Sequence, residues 1–175
     1  MNVHGFALLP PGEPAPDKLL PIWLYPMEHE YVYGFGWNPS TQGMLAALAR
    51  LDLQGKTVLD VGTGTGILAI AAARLGARVG VEDTDPVCLK AAAQNAELNG
   101  VQFESVSNPD VVLANLGSGE WVEQHLPRLG QTLVATIPVA EQALVLAHAH
   151  GVIHVRTDIH GSGDQRFAVM VLEGR

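Results

Sequence analysis

The apolar positions along this chain switch repeatedly between strand-like and helical spacing. Short apolar runs predict strands, and alanine- and leucine-rich stretches with a three- to four-residue spacing predict helices. The predicted strands are residues 58–61, 77–83, 102–106, 111–114, 132–137, 152–159 and 166–172. The predicted helices are residues 67–75, 86–99, 119–126 and 138–150, with a further helical pattern at 44–51. This alternation implies an α/β fold with a mostly parallel sheet, helices on both faces, and a final antiparallel pair around Gly161-Ser-Gly163.

Turn and cap residues mark the ends of the two central helices. Gly76 follows the helix predicted at 67–75, and Gly100 follows the one predicted at 86–99, where it suits a left-handed C-terminal cap. Asp85 followed by Pro86 is the expected N-cap and first-turn pair. We therefore assign Asp85 to capping rather than to a binding site.

The beginning of the chain differs in composition from the rest. Prolines are frequent in residues 10–26, which predicts an extended linker rather than a folded domain. We therefore expect residues 1–32 to form a lead and residues 33–175 to form one α/β domain.

Composition and charge narrow the class of protein. A chain of 175 residues is long enough for one domain with a sizeable core. Its net charge of −8 argues against nonspecific binding to nucleic acid or to an anionic membrane, and it favours basic substrates. The single cysteine, Cys88, is predicted to be a small core residue, and the sequence shows neither a secretion signal nor a long apolar span. These features predict a cytoplasmic protein.

The most informative segment is a glycine-rich turn between the strand at 58–61 and the helix at 67–75. Gly62, Gly64 and Gly66 permit a tight turn and a close approach of a ligand to the backbone. A dinucleotide fingerprint needs a glycine where this chain has Ile67, and no Gly-Lys-Ser/Thr completes a phosphate loop. Asp60 places a carboxylate before the turn, where it disfavours a pyrophosphate and suits an amino group. This favours S-adenosylmethionine over a dinucleotide.

An acidic pair follows about twenty residues after the glycine turn, at the end of the next predicted strand. A carboxylate at the carboxyl end of a parallel strand can bind ribose hydroxyls. Glu82 completes a Gly-x-acid pattern with Gly80, whereas Asp83 is favoured when the strand is counted back from Asp85. The sequence leaves both Glu82 and Asp83 as candidates, with a slight preference for Glu82.

Asn115 ends the predicted strand at 111–114 and is the candidate catalytic residue. Its side-chain carbonyl could accept a hydrogen bond from an amine and aim the nitrogen lone pair at a methyl group, so that positioning supplies much of the catalysis. The competing interpretation is that Asn115 caps the following turn.

The remaining polar residues do not form a recognisable metal-binding motif. His148, His150 and His154 lie close in sequence, but no cysteine or carboxylate completes a set of ligands. Residues 28–30, of sequence Glu-His-Glu, are assigned to a solvated turn. We predict no metal site.

Four motifs together resemble the PrmA family of ribosomal protein L11 methyltransferases, within the class I enzymes that use S-adenosylmethionine. The family's F-G-T-G-x-H-P-T-T is similar to Tyr33-Gly-Phe-Gly-Trp-Asn-Pro-Ser-Thr41, and its D-x-G-x-G-x-G-I-L-A-I is similar to residues 60–70. Its D-P…N-A-x-x-N-G run resembles residues 85–100, and its A-N-I/L resembles Ala114-Asn115-Leu116.

The resemblance implies a Rossmann-like methyltransferase fold with a seven-stranded sheet and N-methylation of an amine on a protein, such as a ribosomal protein. It implies S-adenosylmethionine as cofactor and S-adenosylhomocysteine as product. It gives Thr41 and Gly62 cofactor-binding roles and places Asn115 near the methyl group. The expected cofactor-binding residues are Thr41, Asp60, Gly62, Thr63, Gly64, Glu82, Asp83 and Asn115.

The chain also departs from the family pattern. The family has an additional N-terminal domain that recognises the ribosomal protein, and here a short proline-rich lead stands before the motif. Asn38 replaces the family histidine, and Gly117 to Trp121 replaces the usual proline-leucine. Residues 101–110 are short for the usual third strand, acidic adenine contact and helix. The alternatives are therefore a small-molecule methyltransferase or a noncatalytic cofactor-binding partner subunit.

Overall fold

A computed structural model describes residues 1–26, 32–142, 145–146, 151–162 and 166–175. A small N-terminal sheet stands before an α/β unit. The small sheet contains β1 (Asn2–Val3), β2 (Phe6–Leu9) and β3 (Leu20–Trp23). The main strands are β4 (Thr57–Val61), β5 (Arg78–Glu82), β6 (Val111–Ala114), β7 (Thr132–Pro138), β8 (Val152–His160) and β9 (Phe167–Gly174). The helices are α1 (Pro39–Leu48), α2 (Ile67–Arg74), α3 (Pro86–Leu98) and α4 (Gly119–Gln124), with a 3₁₀ turn at Val139–Glu141.

The main sheet has the order β5-β4-β6-β7-β9-β8. Strand β4 pairs in parallel with both β5 and β6, and β6 pairs in parallel with β7. The last two strands are antiparallel, with β9 between β7 and β8. The predicted mostly parallel sheet with a C-terminal antiparallel hairpin is thus confirmed.

Apolar cores lie on both faces of this sheet. On one face, α1 and α2 pack against the strands in a core that includes Leu45, Ile70, Leu113 and Val171. On the other face, Val122 of α4 and Val145 pack against Ala135 and Met170. Because parallel strands need cover on both sides, the near-continuous apolar runs of β6 and β7 follow from this arrangement.

The seventh strand, expected at residues 102–106, is not formed. This segment is described throughout and makes one backbone hydrogen bond to the neighbouring strand, from Glu104 N to Val79 O at 2.9 Å. Only nine residues lie between Val101 and the start of β6, and Asn108 turns the chain with a positive φ of 57° directly before Pro109. The main sheet therefore has six strands among the described residues, and this crossover contains no helix.

The missing crossover helix leaves part of one sheet face uncovered. Leu59, Val61 and Val112 are only half-buried there, and they line a groove of about 850 Å³. The absence of both elements confirms that residues 101–110 are too short for a strand and a helix. The resulting groove sets the shape of the adjoining site.

The prediction of a wholly extended linker at residues 10–26 is wrong. Residues 20–23 form β3, which pairs in parallel with β2, and Ile22 is fully buried in the core of the α/β unit. Arg74 of α2 donates from Nε to the Pro21 carbonyl at 3.1 Å. The buried side chain of Ile22 and the hydrogen bond from Arg74 attach the lead to α2. The prolines of this stretch obscured its strand-like pattern.

The remaining boundaries agree closely with the sequence. Asp85 caps α3 by accepting from Val87 N at 2.8 Å, as predicted, and Gly100 follows the helix with a positive φ of 63°. The helix expected at 138–150 begins as a 3₁₀ turn, and residues 143–144 and 147–150 lie outside the described part of the chain. Gly163 of the predicted hairpin turn also lies outside it. No helix in the described ranges is long and apolar enough to cross a membrane.

Candidate functional site

A cleft of about 900 Å³ lies at the carboxyl ends of the parallel strands. The chain runs from β4 to β5 on one side and reaches β6 on the other side, so the strand order reverses at β4. Ligands of open α/β sheets bind in the crevice at such a reversal point. The segments that follow β4, β5 and β6 surround the cleft, together with the end of β7 and the start of α1.

The glycine-rich turn forms the floor of this cleft. Gly62, Gly64 and Gly66 have φ values of 69°, 54° and 80°, a region that side-chain-bearing residues rarely adopt. A Cβ on Gly64 would collide with the Tyr33 carbonyl, and one on Gly62 would collide with the Leu116 side chain. Both glycines are thus tightly packed by the chain itself, and both line the cleft, whereas the close approach of a ligand to their backbone stays a prediction.

Asp60 and Thr63 lie beneath the turn and do not line the cleft. Thr63 Oγ1 donates to Asp60 Oδ2 at 2.8 Å, and Asp60 is 1% exposed, with no hydrogen-bond partner for Oδ1. Burial raises the pKa of the Asp60 carboxyl to about 7, against the opposing effect of the Thr63 hydroxyl. In this conformation both side chains support the loop from below.

The structure separates the two acidic candidates, Glu82 and Asp83. Asp83 Oδ2 accepts from Gly64 N at 3.0 Å, and its Oδ1 accepts from Asp85 N at 3.0 Å. Both carboxylate oxygens of Asp83 therefore brace the backbone. The Glu82 side chain is exposed and lines the cleft, while its main-chain carbonyl accepts from Gly62 N and Thr63 N at 2.8 and 3.1 Å.

Asn115 sits on the opposite side of the cleft within a chain of side-chain hydrogen bonds. Its Nδ2 donates to Thr41 Oγ1 at 3.1 Å, and its Oδ1 accepts from Thr136 Oγ1 at 3.0 Å. Gly117 N donates to the same Thr136 hydroxyl at 3.1 Å. Thr136 was not expected from the sequence, where its signal is a polar residue near the carboxyl end of an apolar strand.

The segment before α1 closes one side of the glycine turn. Thr65 N donates to the Tyr33 carbonyl at 3.0 Å, and Thr65 Oγ1 donates to the Gly34 carbonyl at 2.6 Å. Asn38 caps α1 by accepting from Ser40 N at 3.0 Å. Thr41 lies within the first turn, where its hydroxyl meets Asn115.

Cys88 is buried, as predicted, and it also lines the cleft beside Asp83. Burial, the negative charges of Asp83 and Asp85, and a hydrogen bond to Asp83 raise the pKa of the Cys88 thiol to about 11. A thiol with so high a pKa is almost wholly protonated near neutrality, so Cys88 is not suited to be a nucleophile.

The described ranges contain no group of three histidine, cysteine or acidic side chains that could hold a metal ion. His154 lies in β8, where its Nε2 is 2.6 Å from Thr157 Oγ1. Residues 28–30, His148 and His150 lie outside the described part of the chain.

A family model described as ribosomal protein L11 methyltransferase (PrmA) matches residues 27–121, which is more than half of the chain. The chain belongs to the PrmA family. The match includes the glycine turn, the acidic pair and Asn115, and it ends before Thr136.

Curated PrmA relatives agree with this assignment. A ribosomal protein L11 methyltransferase of Deinococcus radiodurans is 36% identical over 168 residues, covering 79% of this chain and 61% of its own length. The same-named protein of Wolinella succinogenes is 43% identical over 123 residues, covering 61% of this chain and 45% of its own. The chain thus spans about half the length of these relatives.

Solved structures agree with the fold. A ribosomal protein L11 methylase from Lactobacillus delbrueckii subsp. bulgaricus superposes with a TM-score of 0.72 at 22% identity, covering 98% of this chain and 95% of that one. A precorrin-6y C5,15-methyltransferase from Geobacter metallireducens gives 0.60 at 15% identity, with coverages of 85% and 94%. The Rossmann-like class I methyltransferase fold predicted from the sequence is thus confirmed.

Proposed function

We propose that this PrmA-family chain binds S-adenosylmethionine in the cleft and transfers its methyl group to an amine on a protein. The observation that carries the proposal is that Glu82 and Asp83, although adjacent, have different contacts. Asp83 holds the glycine turn in shape, and this leaves the Glu82 carboxylate facing the cleft opposite Asn115. A free carboxylate on one side and a fixed carboxamide on the other suit a ligand with ribose hydroxyls and a reacting centre.

Glu82 is the better candidate for the ribose contact. A vicinal diol needs an acceptor with open lone pairs, and the exposed Glu82 carboxylate offers them. Each Asp83 oxygen already accepts one backbone hydrogen bond, from Gly64 N and from Asp85 N, so this carboxylate is fixed against the loop and has fewer lone pairs left for a ligand. Gly62 and Gly64 would contact the ligand through their backbone, since both line the cleft without side chains.

The cleft continues beyond Glu82 into the groove along the uncovered sheet face. Val61, Glu82 and Trp121 line both spaces. This continuity supports the expectation that the adenine side is more open than in a protein whose crossover carries a helix.

S-adenosylmethionine supplies an electrophilic methyl group on a sulfonium. An amine nitrogen that attacked this carbon would form the new C–N bond as the C–S bond breaks, and S-adenosylhomocysteine would leave. Asn115 retains one Nδ2 hydrogen and one Oδ1 acceptor position beyond its two hydrogen bonds, so it can orient the amine. A lysine amine would lose a proton to solvent before the attack, because deprotonating it near neutrality costs only about 4.6 kcal/mol in water.

A protein acceptor such as a ribosomal protein fits the names of the curated relatives and the net charge of −8, which attracts basic partners. We place this activity in the cytoplasm, where such an acceptor is made. A small molecule in the same cleft is the enzymatic alternative.

A transfer assay with methyl-labelled S-adenosylmethionine tests the activity. The full chain is incubated with a ribosomal protein mixture and, separately, with the small-molecule fraction of a cell extract, and the N115A variant serves as control. Label in protein that depends on Asn115 supports the proposal, whereas label only in the small-molecule fraction favours the alternative. Binding of S-adenosylhomocysteine without transfer to either fraction would identify a noncatalytic partner subunit and contradict the proposed activity.

A further inference from the structure

Asn115 is held by groups from two separate elements. Thr41 lies in α1, and Thr136 lies near the end of β7. Both threonines are 1% exposed, so water competes little for their hydroxyls. The carboxamide of Asn115 therefore bridges the helix and the strand on one side of the cleft.

The hydrogen bonds at Thr136 have a defined direction. Gly117 N–H can only donate, so Thr136 Oγ1 accepts that bond at 3.1 Å. Thr136 Oγ1 donates its single hydroxyl proton to Asn115 Oδ1, 3.0 Å away. This fixes which end of the Asn115 carboxamide is the acceptor, and it directs Nδ2 towards Thr41.

The same hydroxyl couples Asn115 to the loop that follows β6. Gly117 has a positive φ of 62° and lines the cleft together with Leu116. Because Thr136 contacts both Asn115 and Gly117, removal of the hydroxyl would free the carboxamide and the loop together. A valine retains the β-branched shape but cannot make either bond.

We propose that Thr136 is a positioning residue that sets the orientation of the Asn115 carboxamide for methyl transfer; this rests on the proposed function. Thr136 acts through Asn115 and is not itself a catalytic residue. An unoriented carboxamide still occupies the cleft but aligns the amine less often. The loss therefore falls on kcat more than on cofactor affinity.

The test compares T136V and T136S with the wild-type chain, in both the Asn115 and the N115A background. Binding of S-adenosylhomocysteine, thermal melting and transfer from S-adenosylmethionine to the ribosomal protein mixture are measured for each. We expect T136V to lower kcat about tenfold with the KM for S-adenosylmethionine changed less than about twofold, and T136S to recover most of the rate. In the N115A background, T136V should lower kcat much less than it does with Asn115 present, because only the Gly117 bond to Thr136 is then lost.

A second measurement is independent of turnover. In ¹⁵N-labelled protein, the two Nδ2 proton resonances of Asn115 are identified by their absence in N115A. T136V should shift this pair, and T136S should leave it near its wild-type position. This reads the orientation of the carboxamide directly, with or without an acceptor.

The outcomes separate the two proposals. Failure of the wild-type chain to bind S-adenosylhomocysteine would remove the proposed function, and the positioning role with it. A wild-type chain that binds the product, with a T136V variant that keeps normal Asn115 resonances or normal turnover, would overturn the positioning role alone. The same holds if T136V lowers kcat as much without Asn115 as with it, or if T136S is as impaired as T136V.

Discussion

At the scale of single residues, two adjacent acids have different roles although their side chains differ by one methylene. Asp83 has both oxygens engaged with backbone amides, and Glu82 lines the cleft. Spacing alone could narrow the choice to this pair. It could not decide between them, because the decision depends on the position of Gly64 N after the turn has folded.

We expect E82Q to weaken the binding of S-adenosylhomocysteine at least about tenfold, because hydrogen bonds to a charged acceptor are stronger than those to an amide. Its unfolding free energy should change little, since the side chain is exposed. Calorimetric titration and urea unfolding measure both quantities. The control is E97Q, an exposed carboxylate on α3 outside the cleft, and equal affinities of E82Q and E97Q would exclude the ribose contact.

Asp60 gives a prediction about pH. Its pKa of about 7 in the folded protein exceeds the ordinary value of 3.8, so the folded state keeps a proton that the unfolded state loses as the pH rises from about 4 to 7. This residue therefore lowers stability with rising pH in that window, by at most about 4 kcal/mol. The difference in unfolding free energy between D60N and the wild-type chain should shift in favour of D60N by up to that amount.

Urea unfolding of both proteins at pH 4.5 and pH 8 measures this difference without ligand. All other titratable groups are common to the two chains, so their contributions cancel to first order. A difference that is constant across the two pH values would show that Asp60 ionises normally in the folded protein.

At the scale of elements, most boundaries followed from local signals in the sequence. Asp85-Pro86 and Gly100 delimit α3, and the glycine turn joins β4 to α2, because caps and turns depend on neighbouring residues. The strand expected at 102–106 failed because a strand needs successive pairings, and Asn108-Pro109 turn the chain away after one. Strand pairing depends on two segments, so the hydrophobic pattern of one segment alone cannot predict it.

The end of α3 also holds the N-terminal sheet. Asn99 Oδ1 accepts from Trp23 N at 2.9 Å, and its Nδ2 donates to Trp23 O at 2.6 Å. Four residues earlier, Asn95 Oδ1 accepts from Tyr25 N at 2.9 Å, and its Nδ2 donates to Thr65 O at 2.9 Å. In the sequence, this attachment is marked by two asparagines one helical turn apart, and the structure shows that both are buried.

We expect N99A to lower the unfolding free energy by about 2–3 kcal/mol, because it leaves both backbone groups of Trp23 without their partner. Q94A, an exposed change on the same helix, should leave it within about 0.5 kcal/mol. Urea unfolding at constant pH compares the two. A stability of N99A equal to that of Q94A would mean that the lead contributes nothing to the fold through this contact.

At the scale of the whole molecule, the site depends on several segments meeting at one sheet edge. The glycine turn, the acids and Asn115 could each be located from the sequence, because strands β4, β5 and β6 end at the same edge. Thr136 and the burial of Asp60 could not, since they depend on the order of β6 and β7 and on the packing of α2 beneath the turn. The fold was thus more predictable than the contacts within the cleft.

Calorimetric titration of the full chain with S-adenosylhomocysteine is the most direct test of the central claim that this cleft is a cofactor site. We predict saturable binding with one molecule per chain, weakened in E82Q and unchanged in E97Q. An absence of binding at millimolar ligand, or binding that is indifferent to Glu82, would contradict it.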